Sequence, residues 1–578
     1  MIVAPVVASA PPHGRRRWLA APTRFGITRG ELLLYALLVA LAAVLRFVDL
    51  GSRALHHDES IHAKEVFDML RGKQYKYDPA YHGPLLYFSF APLFWAFGPS
   101  DGLARVTPAL FGSASVAALW LYRHALGRVG TPLAMAVLAT SVAFLYYSRS
   151  LRHDAFLTFF LIVLGGAVVR YLAEPRRRWL ILAWVALAFA FVTKEDTYIH
   201  GSIVVIVLVV FGGVAWRARR GAPELQAPAV RQIRGAFRAL RADLDGIVYG
   251  LLAFLAIVFV LMTSFLTNLP GFRDGFVKAI EYWRGVHASE RVNQPWFYYG
   301  MFLLVYEPFI LVFGAAALAR LRRAESTFPY VMAIWAVVGL SVYSVAGEKA
   351  AWLILPAAWP LLLLACWWAG RALSTPHPRW RRGLVATLTV LLLAWTLRYG
   401  IPLNYQHSDT PIDLVIYVQT APDVLAATAV VDEAVRRSGQ GPAANLHVEN
   451  EYAWPFAWYL RGYTQVSYGT VEPERIADAP ALIISPTTAD RIGIQLTGYV
   501  GRRMKLRWWF PEFAYKELDW GVFGKLLGDP EAQRTFFAWL LEREKTSLPL
   551  DSVDFILYVR TDLLQSGPIG PFALGPAG

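Results

Sequence analysis

Residues 84–97 read Pro84-Leu-Leu-Tyr-Phe-Ser-Phe-Ala-Pro-Leu-Phe-Trp-Ala-Phe97, and whether this run crosses a membrane decides the topology of everything after it. It has 14 residues and two prolines, whereas a helix needs about 20 apolar residues to cross a hydrocarbon core. It therefore reads as an interfacial or re-entrant helix. Working outward, apolar runs of crossing character fall at 31–50 before it and at 102–122, 129–147, 155–173, 179–193, 198–215, 246–265, 297–319, 328–346, 351–369 and 384–400 after it. With 84–97 excluded these make eleven crossings, and the arginine clusters between them share one side: Arg123 and Arg128; Arg176 to Arg178; Arg217 to Arg241; Arg320, Arg322 and Arg323; Arg371 to Arg382. Basic loops stay cytoplasmic. Counting 84–97 as a crossing would invert every later loop and break that rule.

Composition agrees. The 578 residues are 56% hydrophobic and 17% charged, which excludes a large soluble enzyme. A formal charge of +14 would point to nucleic acid in a soluble chain, but here the arginines sit between apolar runs, so nucleic acid is set aside as a partner. Cys366 is the sole cysteine and lies in an apolar run, so no internal disulfide forms. The first 30 residues lack a basic region ahead of their short apolar start, which argues against a cleaved signal peptide, and Arg15, Arg16, Arg17, Arg24 and Arg29 place them in the cytoplasm. The expected organisation is a cytoplasmic segment 1–30, an all-α polytopic membrane domain of about 11 transmembrane helices at 31–400, and an extracytoplasmic α/β domain at 401–578. In that tail helices are expected at 423–437 and 530–544, and strands at 443–448, 481–485 and 555–560. Its aromatic patches, Tyr452, Trp454, Trp458 and Tyr459, then Trp508 and Trp509, are explained more simply by packing or membrane contact than by sugar stacking. The arginine-rich loop 216–244 reads as a topology determinant, with contact to anionic lipid as a second role.

The same topology gathers the mixed-charge loops on the outer side: 51–83 with His56, His57, Asp58, Glu59 and His62; 148–154 with Arg149, Arg152, His153 and Asp154; 194–200 with Lys194, Glu195, Asp196 and His200; 266–296; and 347–349 with Glu348 and Lys349. A charge at full membrane depth costs about 2.5 to 3.5 kcal/mol, so groups this close to span ends face a wet cavity. Such a cavity offers carboxylates for base work or a divalent cation, and Lys and Arg for a phosphate. No Walker loop or serine elbow occurs. His57 and His62 are five apart, about 140° round a helix, which rejects a zinc-protease helix. Asp58 and His62, four apart, share a face and leave a divalent cation open. Each candidate has a structural competitor: Asp58 and Glu59 as a helix cap, Arg149 and Arg152 as headgroup anchors, Lys194 with Glu195 and Glu348 with Lys349 as local pairs, and the histidines as hydrogen-bonded supports.

Taken in order, Arg46, Asp49, His56-His57-Asp58-Glu59, Tyr81-His82-Gly83-Pro84, Tyr147-Ser148-Arg149 with Asp154, and Thr193-Lys194-Glu195 resemble the GT-C membrane glycosyltransferases, in the branch of the protein mannosyltransferases and aminoarabinose transferases. Gly347-Glu348-Lys349 with Trp352 and Leu353 is similar to the Gly-Glu-Lys-x-x-Trp-Leu element of a prokaryotic subgroup described as associated with flippase activity, with Ala350 and Ala351 as departures. The resemblance spans roughly residues 30–400. It implies transfer of a sugar from a polyprenyl-phosphate donor to a glycan, lipid or protein acceptor on the outer face of the plasma membrane. It implies Asp58, with Glu59, as base or acceptor-positioning group, and Asp154 as a further catalytic candidate. Arg149, Arg152, Lys194 and Lys349 are then candidates for the departing phosphate, and His57, His82, Glu195 and Glu348 complete the substrate-facing set. Transfer of whole lipid-linked oligosaccharides, or a non-catalytic partnership with a lipid-linked-sugar flippase, are the alternatives.

Overall fold

The structure, a computed structural model, describes residues 27–573 apart from 221–224, 290–291, 293, 376–377, 472–475, 477, 517–523, 525–526 and 543–549. Residues 1–26 of the expected cytoplasmic segment and the end of the expected helix 530–544 lie outside the described residues. The chain is a multi-pass integral membrane protein. Among the described residues, eight helices are long and apolar enough to cross a membrane, or nine when one bent pair counts as a single span. Two features account for the distance from eleven. The run Asp101–Thr140 counts once over its 40 residues, although 40 residues of helix would measure about 60 Å, twice a bilayer core. It breaks at Gly127, whose φ of 75° no ordinary helical residue adopts, so it supplies the expected run 102–122 and most of 129–147, whose end forms the separate helix Val142–Ser148. Arg177–Phe191, the expected 179–193, has only 15 residues.

Several expected straight spans are bent. Residues 297–319 form two helices, Tyr298–Tyr306 and Pro308–Ala319, at 112°. Pro308 has no N–H to continue the first helix, and the Glu307 carboxylate at the bend accepts from Ser141 Oγ (2.5 Å) and the Ala143 N–H (3.3 Å). Those two donors lie where Arg123–Thr140 ends and the short helix Val142–Ser148 begins, so one buried carboxylate fixes two breaks. The run 84–97 forms Leu85–Phe97, 13 residues with Pro92 inside, short as expected. The arginine-rich loop contains an unexpected helix, Ala227–Ala242, which buries Ala229, Val230, Ile233 and Ala236 and exposes Arg231, Arg234, Arg238 and Arg241. That 3.6-residue periodicity is the signal the charge reading passed over.

The tail folds as a mixed α/β domain. Its six strands are β1 Gln419–Thr420, β2 Leu446–Val448, β3 Val466–Tyr468, β4 Ala481–Ile484, β5 Tyr499–Trp509 and β6 Asp551–Arg560, in sheet order β1-β5-β6-β4-β2-β3. β2 runs parallel to β3 and β4, and the remaining pairs are antiparallel. Helix Asp423–Ser438 packs on the sheet through Val424, Ala427, Val431 and Ala434. The expected strand at 443–448 shrinks to β2, because 441–443 form a tight 3-10 turn. β5 was not foreseen: Met504 and Leu506 are buried in alternation with Arg503, Lys505 and Arg507, and the charges disguise a strand with one apolar face.

The tail is seated on the bundle by polar clamps. Trp458 Nε1 and the Tyr459 hydroxyl donate to the two carboxylate oxygens of Asp101 at 2.7 and 2.8 Å. Trp458 also stacks on Phe94. Gln419 and Thr420 donate to the carbonyls of Ala54 and Leu55 in the first loop.

Candidate active site

The loop after the first span leads into helix His57–Leu70. His56 caps it: its Nδ1 accepts from the Asp58 N–H (3.1 Å), while Glu59 Oε2 accepts from the His56 N–H (2.8 Å). This reciprocal cap sets the phase of the first turn, and consecutive residues there point about 100° apart. Glu59 points into the bundle, fully buried, and takes both Nε and Nη2 of Arg105 at 2.8 Å. It accepts the Leu151 N–H as well, at 2.6 Å. Asp58 points the other way, with 32% of its side chain exposed.

From Asp58 a chain of alternating charges runs inward. Arg152 Nη1 donates to Asp58 Oδ2 (2.6 Å) and its Nε to Asp154 Oδ2 (3.3 Å). Lys194 Nζ donates to Asp154 Oδ1 (2.8 Å) and lies 3.2 Å from Asp196 Oδ2. The Arg152 guanidinium lies 3.6 Å from the Trp352 ring centroid, which fixes its plane. Burial opposes the charge on Asp58, but Arg152, His56 and His57 outweigh it and hold the carboxyl well below the ordinary carboxylate range. For Lys194 burial is likewise overcome, by Asp154 and Asp196, and the ammonium is pushed up. Burial brings His56 down to about 4 and His62 to about 3, so neither is a cation near neutral pH.

These groups line a cavity of about 680 Å³ between the helix bundle and the tail, within the range of small-molecule sites. Asp58, Arg152, Asp154, Lys194, His57, His82, His62 and Glu348 all reach its wall. The tail contributes Trp454, Arg507, Trp509 and Glu512.

Three comparisons bear on this arrangement. Residues 81–223 match the dolichyl-phosphate-mannose-protein mannosyltransferase family. ArnT from Cupriavidus metallidurans, in a structure bound to undecaprenyl phosphate, superposes with a TM-score of 0.57 at 16% identity over 82% of this chain and 95% of that one. Its apo structure gives 0.55 at 17% identity, over 82% and 96%. The chain has the fold of the GT-C membrane glycosyltransferases. The archaeal oligosaccharyltransferase AglB from Archaeoglobus fulgidus, solved with an inhibitory peptide and a dolichol phosphate, shares that GT-C fold more distantly, with a TM-score of 0.50 at 10% identity over 92% and 88%. No curated protein matches the chain.

Within the GT-C frame, four expected site residues lie away from the cavity wall. Glu59 is a strut for Arg105 rather than a second exposed carboxylate. Arg149 turns its guanidinium to the carbonyls of Leu45, Val48 and Asp49 and covers Tyr405, tying the loop to the first span instead of facing a phosphate. Glu195 accepts from the Tyr77 hydroxyl (2.8 Å) and pairs with His82 Nδ1 (2.7 Å), so it orients His82, which also stacks on Trp283. Lys349 is buried, its N–H bonded to the Val292 carbonyl. For a metal the donor set fits poorly. Asp58 is engaged by Arg152 and the His62 Nδ1 by the Tyr87 hydroxyl at 2.8 Å, and among the described residues no group of three or more His, Cys, Asp or Glu side chains could hold an ion. The Arg152 guanidinium already bridges Asp58 and Asp154, the position a shared cation would take.

Sequence reasoning gathered Asp196 onto the outer face without giving it a role, missed Trp283 and Arg507, and placed Trp352 only as a motif residue. Asp196 directly follows Lys194-Glu195 and was within reach. Arg507 and Trp509 lie on the unforeseen strand β5, and Trp454 belongs to a patch assigned to packing. Trp458 is buried, as that reading expects, whereas Trp454 lies at the cavity wall.

Proposed function

We propose that this protein is a glycosyltransferase that moves a sugar from a polyprenyl-phosphate donor to an acceptor hydroxyl presented at the extracytoplasmic face, with residues 1–30 in the cytoplasm, 31–400 as catalytic membrane domain and 401–578 as an outer domain. The observation that carries the reading is Asp58: a carboxylate kept ionised, one-third exposed, at the wall of a cavity where Arg152, Asp154, Lys194 and Asp196 are tied to one another in ion pairs. In support, residues 81–223 match a family of dolichyl-phosphate-mannose-protein mannosyltransferases, and the ArnT and AglB structures hold undecaprenyl phosphate and a dolichol phosphate.

Asp58 orients the acceptor hydroxyl and takes its proton as the oxygen bonds to the anomeric carbon and the bond to the lipid phosphate breaks. Paired with Arg152 it is a weak base. A donor phosphate that draws Arg152 onto itself removes that partner, so Asp58 gains basicity only when donor is bound. Arg507 is the second phosphate ligand: it lines the cavity from the tail, and among the described residues it makes no ion pair. Asp154 and Asp196 hold Lys194 in place behind Arg152. Trp352, Trp454 and Trp509 supply apolar faces for sugar rings.

The test is transfer by purified, detergent-solubilised full-length protein from a panel of radiolabelled polyprenyl-phosphate sugars to an outer-envelope acceptor extract, comparing wild type with Asp58→Asn, with and without chelator. The variant is expected to bind donor and to lose about 10² to 10⁴-fold in turnover, with no effect of chelator on the wild type. Clear donor binding without turnover by any donor, together with an Asp58→Asn variant indistinguishable from wild type, would move the flippase-partner reading to the front.

A further inference from the structure

A second site lies at the other end of the bundle. Helix Ile354–Ser374 starts beside Trp352 at the active-site cavity and reaches Arg371 in its last turn, about 26 Å further on. There a groove of about 610 Å³ is lined by Arg320, Arg323, Arg371 and Arg381 with Trp367, Trp368 and Trp380. The four arginines come from three separate segments: the turn after Pro308–Ala319, the end of Ile354–Ser374 and the start of Arg379–Tyr405. Among the described residues none of the four makes an ion pair, and none donates a side-chain hydrogen bond.

Three of them lie against indole rings instead: Arg320 at 5.1 Å from Trp368, Arg371 at 5.6 Å from Trp367 and Arg381 at 5.2 Å from Trp380. An arginine stacked through its face keeps its in-plane N–H groups unspent, in the fork that matches phosphate oxygens. Four like charges in one groove repel one another unless an anion sits among them. The groove also has an apolar side, with Trp380 65% and Leu384 52% exposed along Arg379–Tyr405. A free anion would use the arginines and leave that side bare, whereas a lipid would use both, at the depth where headgroup and acyl chain meet.

We infer that this groove binds an anionic phospholipid, its phosphate among Arg320, Arg323, Arg371 and Arg381 and its chain along Trp380 and Leu384. The site is separate from the cavity assigned to sugar transfer and does not depend on that assignment. The helix Ala227–Ala242 supplies the internal control: its Arg231 and Arg238 are exposed at the protein surface but do not line the groove.

The experiment uses delipidated full-length protein in a neutral detergent, titrated with phosphatidylglycerol, phosphatidylcholine or inorganic phosphate, with affinity read by native mass spectrometry and by the shift in melting temperature. Phosphatidylglycerol is expected to bind and stabilise where phosphatidylcholine does not. Arg320→Gln/Arg371→Gln should weaken it about 30-fold, for the loss of two interfacial arginines, with the lipid-free melting temperature unchanged because both side chains are exposed. Arg231→Gln/Arg238→Gln, which removes the same charge elsewhere, should leave the affinity within about twofold. Equal weakening by both pairs of substitutions would reduce the effect to diffuse surface charge and overturn the site. Stabilisation by inorganic phosphate alone would overturn the lipid assignment, as would equal binding of phosphatidylcholine.

Discussion

Asp58 and Glu59 are neighbours with opposite environments, one at a cavity wall and one sealed against Arg105. The dipeptide was legible as a pair of carboxylates after the first span, but which of them faces the cavity depends on the helix phase set by His56 and on an arginine 46 residues away, neither of which a local pattern reveals. The two should therefore separate in experiment. Glu59→Gln leaves the buried Arg105 charge without its counterion and should cost about 3 to 5 kcal/mol of stability, read as a lower melting temperature in detergent whether or not donor is added. Glu59→Leu with Arg105→Met, which removes both charges, should recover much of that loss. Burial opposes the Glu59 charge, but Arg105 brings its pKa down to about 2, below the ordinary value of about 4.3. Its contribution is thus complete at neutral pH and fades as pH falls from about 4 towards 2, so wild type should lose stability over that window and the double variant should lose less. A Glu59→Gln protein as stable as wild type but inactive would restore Glu59 to the catalytic set.

Elements meet at the site through one close backbone approach. Gly83 donates its N–H to the Thr193 carbonyl at 3.0 Å, and its own carbonyl pairs with His153 Nε2. A Cβ at this position would sit 2.1 Å from the Val192 carbonyl oxygen. The segment ahead of helix Leu85–Phe97 is thereby laid against the turn that presents Lys194, and Gly83→Ala must push the two apart. Displacement of Lys194 from Asp154 should lower turnover by about tenfold to a hundredfold, since small misplacements of positioning groups carry penalties of that order, and donor affinity should fall less. Steady-state kinetics beside a melting curve would check it; an unchanged turnover number would show that the Lys194 turn absorbs the shift. The motif Tyr81-His82-Gly83-Pro84 was readable in sequence, as were the apolar runs. The break at Gly127 falls between the runs 102–122 and 129–147 and was readable too; those at Ser141 and Glu307 were not, because a buried carboxylate inside a run of apolar residues looks from sequence like a tolerated impurity in a straight span.

At the scale of the molecule, the tail closes the site. Its α/β character could be read from amphipathic and strand patterns, while its place over the cavity could not, since Trp454, Arg507 and Trp509 reach the cavity wall only from where the domain is seated. The seat includes Asp101, whose carboxylate takes Trp458 Nε1 and the Tyr459 hydroxyl from the tail and reaches no group of the cavity wall. Asp101→Ala leaves the fully buried Trp458 indole without its acceptor, a loss of about 1 to 3 kcal/mol that falls on the contact between tail and bundle. The tail should then separate transiently. Limited proteolysis should cut the variant faster within 401–578, and KM for donor should rise by about tenfold because Arg507 and the tail tryptophans spend less time over the cavity, with kcat nearly retained because Asp58, Arg152, Asp154 and Lys194 all belong to the bundle and its loops. A matched fall in kcat with KM unchanged would mean instead that the tail acts on the chemical step, and that Arg507 touches the phosphate only as the bond breaks.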